Sequence, residues 1–324
     1  MTTVYNLSEI KSVLRNEEML KVIEEGFVLH SLKEVVCPPV GHLNFENPRG
    51  DVHIKYGYIG GDDFYVVKIA SSFYENPSKN LPSSNGLMLV FGQKTGDLRA
   101  ILLDEGYLTD IRTGIAGAVV AKYLAPKNVH CIGIVGTGVQ AKLQLQFLQE
   151  VVSCKKVVVW GRSEERLREY RKSMSEHGFE ITTTLKIQDI TDTCNLIVTT
   201  TPSQAPLVFA KDILKGTHIT AVGADSKEKQ ELDAEVFRLA DIVVADSIEQ
   251  CLDHGDSSHA VKAGSVQAKD LVEIGNMILE PKLHRQNEGQ ITVADLTGVA
   301  IQDIQIAKYV YNRLLTLRDG SAGR

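Results

Sequence analysis

The sequence predicts an α/β protein that combines a doubly wound parallel sheet with a second, smaller α+β domain. From about residue 126 to residue 300, short β-branched runs alternate with helical stretches, which is typical of a parallel sheet covered on both faces. Residues 52–104 instead hold short apolar runs separated by turn residues, which favour an antiparallel sheet. The chain has 324 residues, 43% of them hydrophobic, so two domains with sizeable cores are expected without disulfides or metals.

The smaller domain is expected to comprise residues 1–121 together with residues 301–324. Residues 8–35 carry apolar side chains at helical spacing. Strands are predicted at residues 52–59, 64–70, 87–91 and 98–103. The last two are joined by a short link of turn residues and should form a hairpin. A helix of small residues is predicted at 113–124, and the last helix from about residue 301 to residue 317.

The doubly wound domain is expected to comprise residues 122–300. Its strands are predicted at residues 129–135, 156–160, 196–199, 218–222 and 242–245. The helices between them are predicted at residues 139–151, 163–176, 187–192 and 231–239. In such a sheet the carboxyl ends of the strands are the place where ligands bind.

A glycine motif follows the first of these strands. Gly136-Thr-Gly138-Val-Gln-Ala141 has the form G-x-G-x-x-A, with a strand before it, a helix after it and a second strand ending near residue 160. Gly136 allows the tight turn, Gly138 lets the backbone approach a pyrophosphate, and Ala141 permits close packing of helix on strand. Free N–H groups at the start of the helix would bind phosphate. The motif predicts a Rossmann-type dinucleotide site; the alternative is a turn in which the glycines serve geometry only.

The end of the second strand indicates which dinucleotide is bound. An NAD site usually places an acidic residue there to bind the ribose 2′-hydroxyl. This chain instead has Arg162 and Ser163, which could hold a 2′-phosphate, so NADP(H) is favoured as the cofactor. Glu164 could still reach a 2′-hydroxyl, which keeps NAD(H) open.

Charge and cysteine content exclude several other classes of protein. The net charge of −6 gives no support to a nucleic-acid or anionic-membrane partner. Five cysteines at no metal-like spacing and nine histidines without an H-E-x-x-H motif predict reduced thiols and no metal site. The amino terminus lacks signal-peptide features and no apolar run approaches a membrane span, so a soluble, cytoplasmic protein is expected.

Ordered motifs along most of the chain resemble one family. They are the stretches at residues 67–71, 108–113, 136–140, 222–225, 231–233 and 295–303. On these motifs the chain is identified as a member of the ornithine cyclodeaminase/mu-crystallin family. The resemblance implies a homodimer in which the first segment and the C-terminal helix form the substrate-binding and dimerisation domain. It also implies one of several activities, because the family includes cyclodeaminases, alanine dehydrogenases, imino acid reductases and mu-crystallin.

The resemblance also implies site residues. Lys68 matches a lysine near the substrate carboxylate and the reacting carbon, and Arg112 matches an arginine that binds that carboxylate. Lys55 occupies a position where dehydrogenases of the family have a basic carboxylate ligand. Asp225 matches the acid–base aspartate, which would have to be buried to be protonated near neutral pH. The alternatives are a solvated strand lysine, an ion pair of Arg112 with Asp110, and a loop aspartate.

Further cofactor contacts are expected around the nicotinamide and the pyrophosphate. Thr137, Val139 and Gln140 complete the glycine loop that resembles the family's dinucleotide loop. By position alone, Thr200 and Thr201 after one strand, and Thr297 and Gly298 before the last helix, are candidate neighbours of the nicotinamide.

One departure from the family pattern bears on the reaction. Ornithine cyclodeaminases carry a further carboxylate-binding arginine some two dozen residues before the lysine, and residues 38–45 contain none. The favoured function is therefore an NAD(P)-dependent reductase that converts a small α-imino acid, cyclic or derived from a keto acid, to the L-amino acid. The alternatives are an ornithine cyclodeaminase with bound NAD and a mu-crystallin-like protein that binds a cofactor and a small ligand.

Overall fold

The computed structural model describes residues 2–73 and 75–321. They pack as two compact units, of which the first contains the described residues up to Arg112 and from Val299 onward. The second unit is Thr113–Gly298. The divisions thus fall after residues 112 and 298, whereas the sequence suggested residues 121 and 300.

The first unit is built around a seven-stranded sheet. Its strands are β1 (Thr3–Asn6), β2 (Val35–Val36), β3 (Gly41–Phe45), β4 (Gly50–Ile59), β5 (Phe64–Phe73), β6 (Ser84–Gly92) and β7 (Leu98–Leu103). Its helices are α1 (Leu7–Ser12), α2 (Asn16–Ser31), the first turns of α3 (Tyr107–Leu124) and, at the end of the chain, α11 (Ala300–Ser321). The order in the sheet is β1-β7-β6-β5-β4-β2, with β3 also on β4, and only β1 and β7 run parallel. The predicted hairpin is β6–β7.

Both faces of this sheet are apolar, and only one of them is buried. Along β4, Lys55, Gly57 and Ile59 are buried, whereas Tyr56 and Tyr58 between them are exposed. The buried face is covered by α11, which contacts β4, β5 and β6 and packs in turn against α2. The other face, which we call the open face, carries Val4, Tyr56, Tyr58, Tyr65, Val67, Ile69, Leu87, Leu89, Phe91, Ile101 and Leu103. An apolar sheet face of this extent is typical of an interaction surface.

The second unit contains an eight-stranded, entirely parallel sheet. Its strands are β8 (Ile132–Val135), β9 (Lys156–Trp160), β10 (Glu180–Thr184), β11 (Leu196–Thr199), β13 (His218–Ala221), β15 (Ile242–Ala245), β16 (Leu271–Glu273) and β17 (Thr292–Asp295). β12 (Gln204–Val208) and β14 (Gln230–Leu232) form a separate parallel pair. The helices are α4 (Val139–Leu148), α5 (Glu164–Ser175), α6 (Gln188–Thr191), α7 (Ala234–Leu239), α8 (Ile248–His254), α9 (Asp256–Lys262) and α10 (Ile274–Leu279). Single 3₁₀ turns lie at Asn76–Lys79 in the first unit and at Ala210–Asp212, Ala268–Asp270 and Pro281–Leu283 in the second.

The strand order defines where this sheet can bind a ligand. The order is β10-β9-β8-β11-β13-β17-β15-β16, so the chain starts in the middle, runs to one edge and returns to continue on the other side. The direction reverses between β8 and β11, which is the switch point at which dinucleotides bind in Rossmann-type folds. The predicted α/β class, a Rossmann-type domain with a second domain, is confirmed.

Two elements differ from the sequence prediction in ways that affect the site. Helix α3 begins at Tyr107 rather than at residue 113, because an Asp104 carboxylate oxygen accepts a hydrogen bond from the Leu108 N–H at 2.8 Å. Arg112 therefore lies within the helix and not before it. Strand β17, which the sequence did not indicate, is inserted between β13 and β15 and ends at Asp295.

Candidate active site

The glycine turn after β8 has the geometry of a dinucleotide-binding turn. Gly136 has φ +126°, a conformation that residues with side chains rarely adopt, and a Cβ there would lie 2.6 Å from Thr200 Oγ1. Its N–H donates to the Trp160 carbonyl at 2.9 Å, which joins the turn to the end of β9. Ala141 is fully buried, as expected for a residue that lets helix α4 pack close to the strand.

The start of helix α4 fits a phosphate group. Gly138 is the N-cap of α4 and offers no side chain to the first N–H groups of the helix. A Cβ on Gly138 would meet no atom within 4 Å, so the backbone there faces open space. Thr137, Val139 and Gln140 complete this turn, and Val139 is 57% exposed. These residues could hold the pyrophosphate of a dinucleotide, with the helix N-terminus facing its charge.

Arg162 and Ser163 lie where the ribose of the adenosine half would be expected, directly after β9. Arg162 is exposed, and the Ser163 hydroxyl caps helix α5 by accepting from the Arg166 N–H at 3.4 Å. Glu164, the competing residue, is also exposed and lies 3.7 Å from Arg168. The Arg162 guanidinium is thus available to bind a phosphate, whereas the Ser163 hydroxyl also caps helix α5.

A buried glutamate fixes the carboxyl ends of β11 and β13. Glu231 accepts four hydrogen bonds, from the Thr199 hydroxyl (2.7 Å), the Thr201 N–H (2.5 Å) and hydroxyl (2.7 Å), and the Gly223 N–H (2.8 Å). Burial raises the pKa of Glu231 to about 7, and the hydrogen bonds oppose that rise. Thr200 donates from N–H and hydroxyl to the Val135 carbonyl, so both predicted threonines lie at the edge that carries the glycine turn.

Thr297 and Gly298 are held by a buried aspartate. Asp246 accepts from the Thr297 hydroxyl at 3.0 Å and from the Gly298 N–H at 2.6 Å. Gln250 donates to the Thr297 hydroxyl at 2.9 Å and to the Gly298 carbonyl at 3.0 Å. Because the Thr297 hydroxyl is already engaged, a contact from this segment to a nicotinamide would use backbone atoms or the threonine methyl group.

In the first unit, the predicted basic residues share one buried site. Lys55 on β4 and Lys68 on β5 are direct partners across the two strands, on the face covered by α11. Lys68 is 2% exposed, Arg112 5% and Lys55 7%. Their anion is Asp303 in the first turn of α11: the Lys68 Nζ lies 3.0 Å from Oδ2, and the Arg112 Nε donates to Oδ1 at 3.0 Å.

A second contact orients the arginine. Arg112 Nη1 donates at 3.0 Å to Gln302 Oε1, which also accepts from the Val299 N–H at 3.0 Å. The start of α11 thus holds the guanidinium through two neighbouring side chains. The alternative ion pair of Arg112 with Asp110 is replaced by the pair with Asp303.

Burial and charge shift the protonation of this cluster. The pKa of Lys68 is lowered to about 7, chiefly because burial disfavours the ammonium form; Asp303 opposes this shift, and Arg112 and Lys55 add to it. The pKa of Asp303 lies below its usual range although burial raises it, because the charges of Arg112, Lys68 and Lys55 outweigh burial. The site is therefore strongly cationic and suited to an anion.

Asp225 lies in the segment after β13, where the structure does not give it the burial that protonation near neutral pH would require. Its side chain is 49% exposed and forms an ion pair with Lys229 at 2.5 Å. The carbonyl of Lys229 is in turn held by the His259 ring at 3.1 Å.

Sequence reasoning missed four residues that hold the predicted ones in place: Asp303, Gln302, Glu231 and Asp246. The available signal was a pair of polar residues, Gln302-Asp303, at the start of a helix in which most neighbouring residues are buried. A buried polar residue on such a helix needs a partner. The sequence could not say which partner, because Arg112 is 191 positions away.

The described residues also bear on metal binding and on membrane insertion. Among residues 2–73 and 75–321, no three or more His, Cys, Asp or Glu side chains are grouped as metal ligands. No helix within the described part of the chain has both the length and the apolar character needed to cross a membrane.

A glycine turn of this geometry at the switch point of a parallel sheet is typical of Rossmann-type dinucleotide-binding proteins. The chain belongs to the ornithine cyclodeaminase/mu-crystallin family, whose sequence model matches residues 1–317. The resemblance noted in the sequence is thereby confirmed.

Three relatives illustrate the range of the family. The chain is 37% identical over 300 residues to an uncharacterized cyclodeaminase of Sinorhizobium fredii, covering 91% of this chain and 90% of the relative. It is 36% identical over 321 residues to an alanine dehydrogenase of Archaeoglobus fulgidus, covering 99% and 97%. It is 30% identical over 315 residues to a Delta(1)-pyrroline-2-carboxylate reductase of Bacillus cereus, covering 96% of both.

Solved structures of similar enzymes have the same fold as this chain. An archaeal alanine dehydrogenase dimer with bound NAD matches with a TM-score of 0.89 at 34% identity, covering 98% of this chain and 97% of that one. The Thermococcus litoralis Delta(1)-pyrroline-2-carboxylate reductase in complex with NADH and L-proline matches at 0.90 and 29%, covering 97% of both. The iminosuccinate reductase of Paracoccus denitrificans with NAD+ matches at 0.87 and 27%, covering 96% and 95%. The prediction of an oxidoreductase is confirmed.

Proposed function

We propose that this protein interconverts a small α-imino acid and the corresponding L-amino acid with a nicotinamide dinucleotide. The observation that carries the proposal is the buried cluster in which Lys68 and Arg112 share the carboxylate of Asp303. Two buried cations on one carboxylate favour the arrival of a second anion, and every α-imino acid carries a carboxylate. The relatives that are reductases and dehydrogenases of such compounds support this choice.

The side chains of the cluster have distinct tasks in this proposal. Arg112 donates through Nε to Asp303 and through Nη1 to Gln302. A guanidinium has two further N–H groups on Nη2, which could donate hydrogen bonds to a substrate oxygen. Lys55 and Lys68 add positive charge on the same strand face. With a pKa of about 7, Lys68 is partly neutral, and a substrate carboxylate beside it would favour the ammonium form.

Asp225 is proposed to transfer the proton at the substrate nitrogen. Its pairing with Lys229 favours the carboxylate, the form that accepts a proton when an amino acid is oxidised. In the direction of imine reduction the same carboxylate would first take a proton from solvent and then pass it to the substrate nitrogen. The bound dinucleotide would supply or accept the hydride, and Thr200, Thr201, Thr297 and Gly298 are proposed to lie around the nicotinamide.

The proposal favours a reductase over a cyclodeaminase. Strand β3 and the residues before it, 38–45, provide no arginine as an additional carboxylate ligand. The test is a panel of cyclic imino acids, keto acids with ammonia or methylamine, and ornithine, followed by absorbance of the reduced dinucleotide. A reductase consumes one reduced dinucleotide per product. A cyclodeaminase would release ammonia from ornithine without net consumption, and a mu-crystallin-like binder would do neither.

We also propose that NADP(H) is preferred and that Arg162 determines this preference. Replacing Arg162 by Ala should weaken NADPH binding about 10- to 150-fold, the value of one charge-assisted contact of roughly 1.5–3 kcal/mol, and change NADH binding little. Dissociation constants from fluorescence titration would measure both. Arg168→Ala, which removes an exposed arginine on helix α5 a few residues further along the chain, is the matched control. An equal loss of affinity for NADPH and NADH would contradict the proposal and make Glu164 the next candidate for the ribose contact.

A homodimer is proposed from the open face of the first unit. Its apolar side chains on five neighbouring strands would be buried if a second copy packed there. Leu89→Glu, which places a charge in the middle of that face, should convert the dimer to a monomer in sedimentation experiments. Leu32→Glu, at a position that is 50% exposed at the end of α2, should leave it intact. A Leu89→Glu protein that remains dimeric would show that another surface is used.

A further inference from the structure

Two cysteines in the second unit lie side by side, away from the residues discussed so far. Cys131 directly precedes β8 and Cys194 lies two residues before β11, its neighbour in the sheet. Their Sγ atoms are 3.5 Å apart, and the Cys194 thiol donates a hydrogen bond to Cys131. Neither is in a disulfide. The glycine turn and Thr200 lie at the opposite, carboxyl ends of these two strands.

A cavity opens onto only one of the two thiols. It has a volume of about 580 Å³ and is lined by Cys131, Lys156, Arg171, Phe179 and Glu180, among others. Cys194 is 1% exposed and does not line it. The charged groups among these residues are two cations and one carboxylate, so the cavity favours a small anion. A reagent that enters would meet the sulfur of Cys131 first.

The surroundings of the two sulfurs differ, and the difference indicates which of them reacts first. The hydrogen bond from Cys194 lowers the pKa of Cys131, against the effect of burial, and the charge of Lys156 lowers it further. The same hydrogen bond and burial raise the pKa of Cys194. Cys131 is therefore the better nucleophile, because the thiolate is the reactive form of cysteine. Cys194 is placed to attack second.

We propose that Cys131 and Cys194 are a dithiol site that a small anionic disulfide oxidises reversibly through this cavity. The Cys131 thiolate attacks one sulfur of the reagent, forming a mixed disulfide and releasing the other half as a thiolate. Cys194 then loses its proton to the released thiolate and attacks the Cys131 sulfur, which displaces the second half as a thiolate. That thiolate takes up from solvent the proton that Cys131 lost when it ionised. Two protein thiols and one small disulfide thus become one protein disulfide and two small thiols.

The required movement is small. The two sulfurs must approach from 3.5 Å to the roughly 2.05 Å of a disulfide bond. The product would link β8 to β11 at their amino ends. The cross-link would thus join the two strands that carry the glycine turn and Thr200.

The test uses the reduced full-length protein and dithionitrobenzoate, an anionic aromatic disulfide whose released thiol is coloured. We expect a fast phase that releases two coloured thiols per chain and leaves a Cys131–Cys194 link in the non-reducing peptide map. Cystamine is a cationic disulfide. When the rate of each reagent is divided by its rate with a free thiol, cystamine should react about 10-fold more slowly than dithionitrobenzoate. A stable adduct on Cys131, or no reaction there, would overturn the proposal for the wild-type chain.

Variants separate the two steps. Cys194→Ser should release one coloured thiol in the fast phase and retain the adduct on Cys131, whereas Cys131→Ser should lose the fast phase. Cys154→Ser is the matched control, because Cys154 is a further thiol close enough for the charge of Cys131 to raise its pKa. It should behave as the wild type. A link between Cys131 and Cys154 in the wild-type map would assign the site to a different pair.

Discussion

Asp303→Asn is expected to lower the free energy of unfolding by about 3–5 kcal/mol, the usual loss when one partner of a buried ion pair is removed. Asp303 is 1% exposed and is the shared partner of Lys68 and Arg112. An asparagine keeps the shape of the side chain but leaves two buried cations without that negative charge. Urea titration followed by circular dichroism would measure the change.

The matched control is Asp63→Asn. Asp63 lies in the same unit and also pairs with a lysine, Lys94, but both side chains are more than 70% exposed. Surface pairs of this kind contribute little, so the control should unfold almost as the wild type does. If Asp303→Asn and Asp63→Asn are equally stable, the cluster is not held together by charge as described.

The same cluster should make stability depend on pH. The folded state holds the pKa of Lys68 at about 7 against 10.5 in the unfolded chain, so the unfolded chain binds more protons between these values. This contribution to stability is present above pH 10.5 and is lost as pH falls through 7. Lys68→Met, which cannot titrate, should lack this part of the pH dependence.

Asp225→Asn is expected to reduce turnover at least about 100-fold, the usual scale of a missing acid–base group, with the dinucleotide dissociation constant unchanged. The asparagine can still fill the same space and form hydrogen bonds, but it cannot exchange a proton with the substrate nitrogen. The measurement is kcat with the best substrate of the imino acid panel, together with dinucleotide binding by fluorescence.

Asp253→Asn is the control for this experiment. Asp253 belongs to the same unit and pairs with Lys227 at 2.7 Å, with a similarly exposed side chain. Loss of that pair should leave turnover near the wild-type value. Near-normal turnover in Asp225→Asn would instead mean that the proton moves through Lys68 or water, and that Asp225 has a structural role.

Some strands could be predicted residue by residue, and others could not. β9, β11 and β15 have the bounds that the sequence predicts, because each is a short apolar run in the interior of a parallel sheet. β10 was missed because it is an edge strand in which only Ile181 is buried. β17 was missed because it has four residues, two of them polar, and its position between β13 and β15 depends on distant partners.

Some residues of the candidate site could likewise be located from the sequence, and others could not. The glycine turn could be located because its function depends on consecutive residues, and the geometry at Gly136 and Gly138 agrees with that reading. The residues that hold the site together could not be located. Glu231 contacts Thr199 from 32 positions away, and Asp303 contacts Arg112 from 191 positions away. Such pairs have no local pattern, since folding alone brings them together.

The position of Asp303 near the end of the chain has a consequence for biosynthesis. A ribosome makes Lys68 and Arg112 long before it makes the start of α11, and domains otherwise tend to fold as soon as they emerge. The sheet of the first unit therefore cannot acquire its buried counter-ion until the whole second unit has been made. Folding of that sheet should be delayed until the last helix leaves the ribosome, so that a nascent chain truncated before Ala300 remains a substrate for chaperones and proteases.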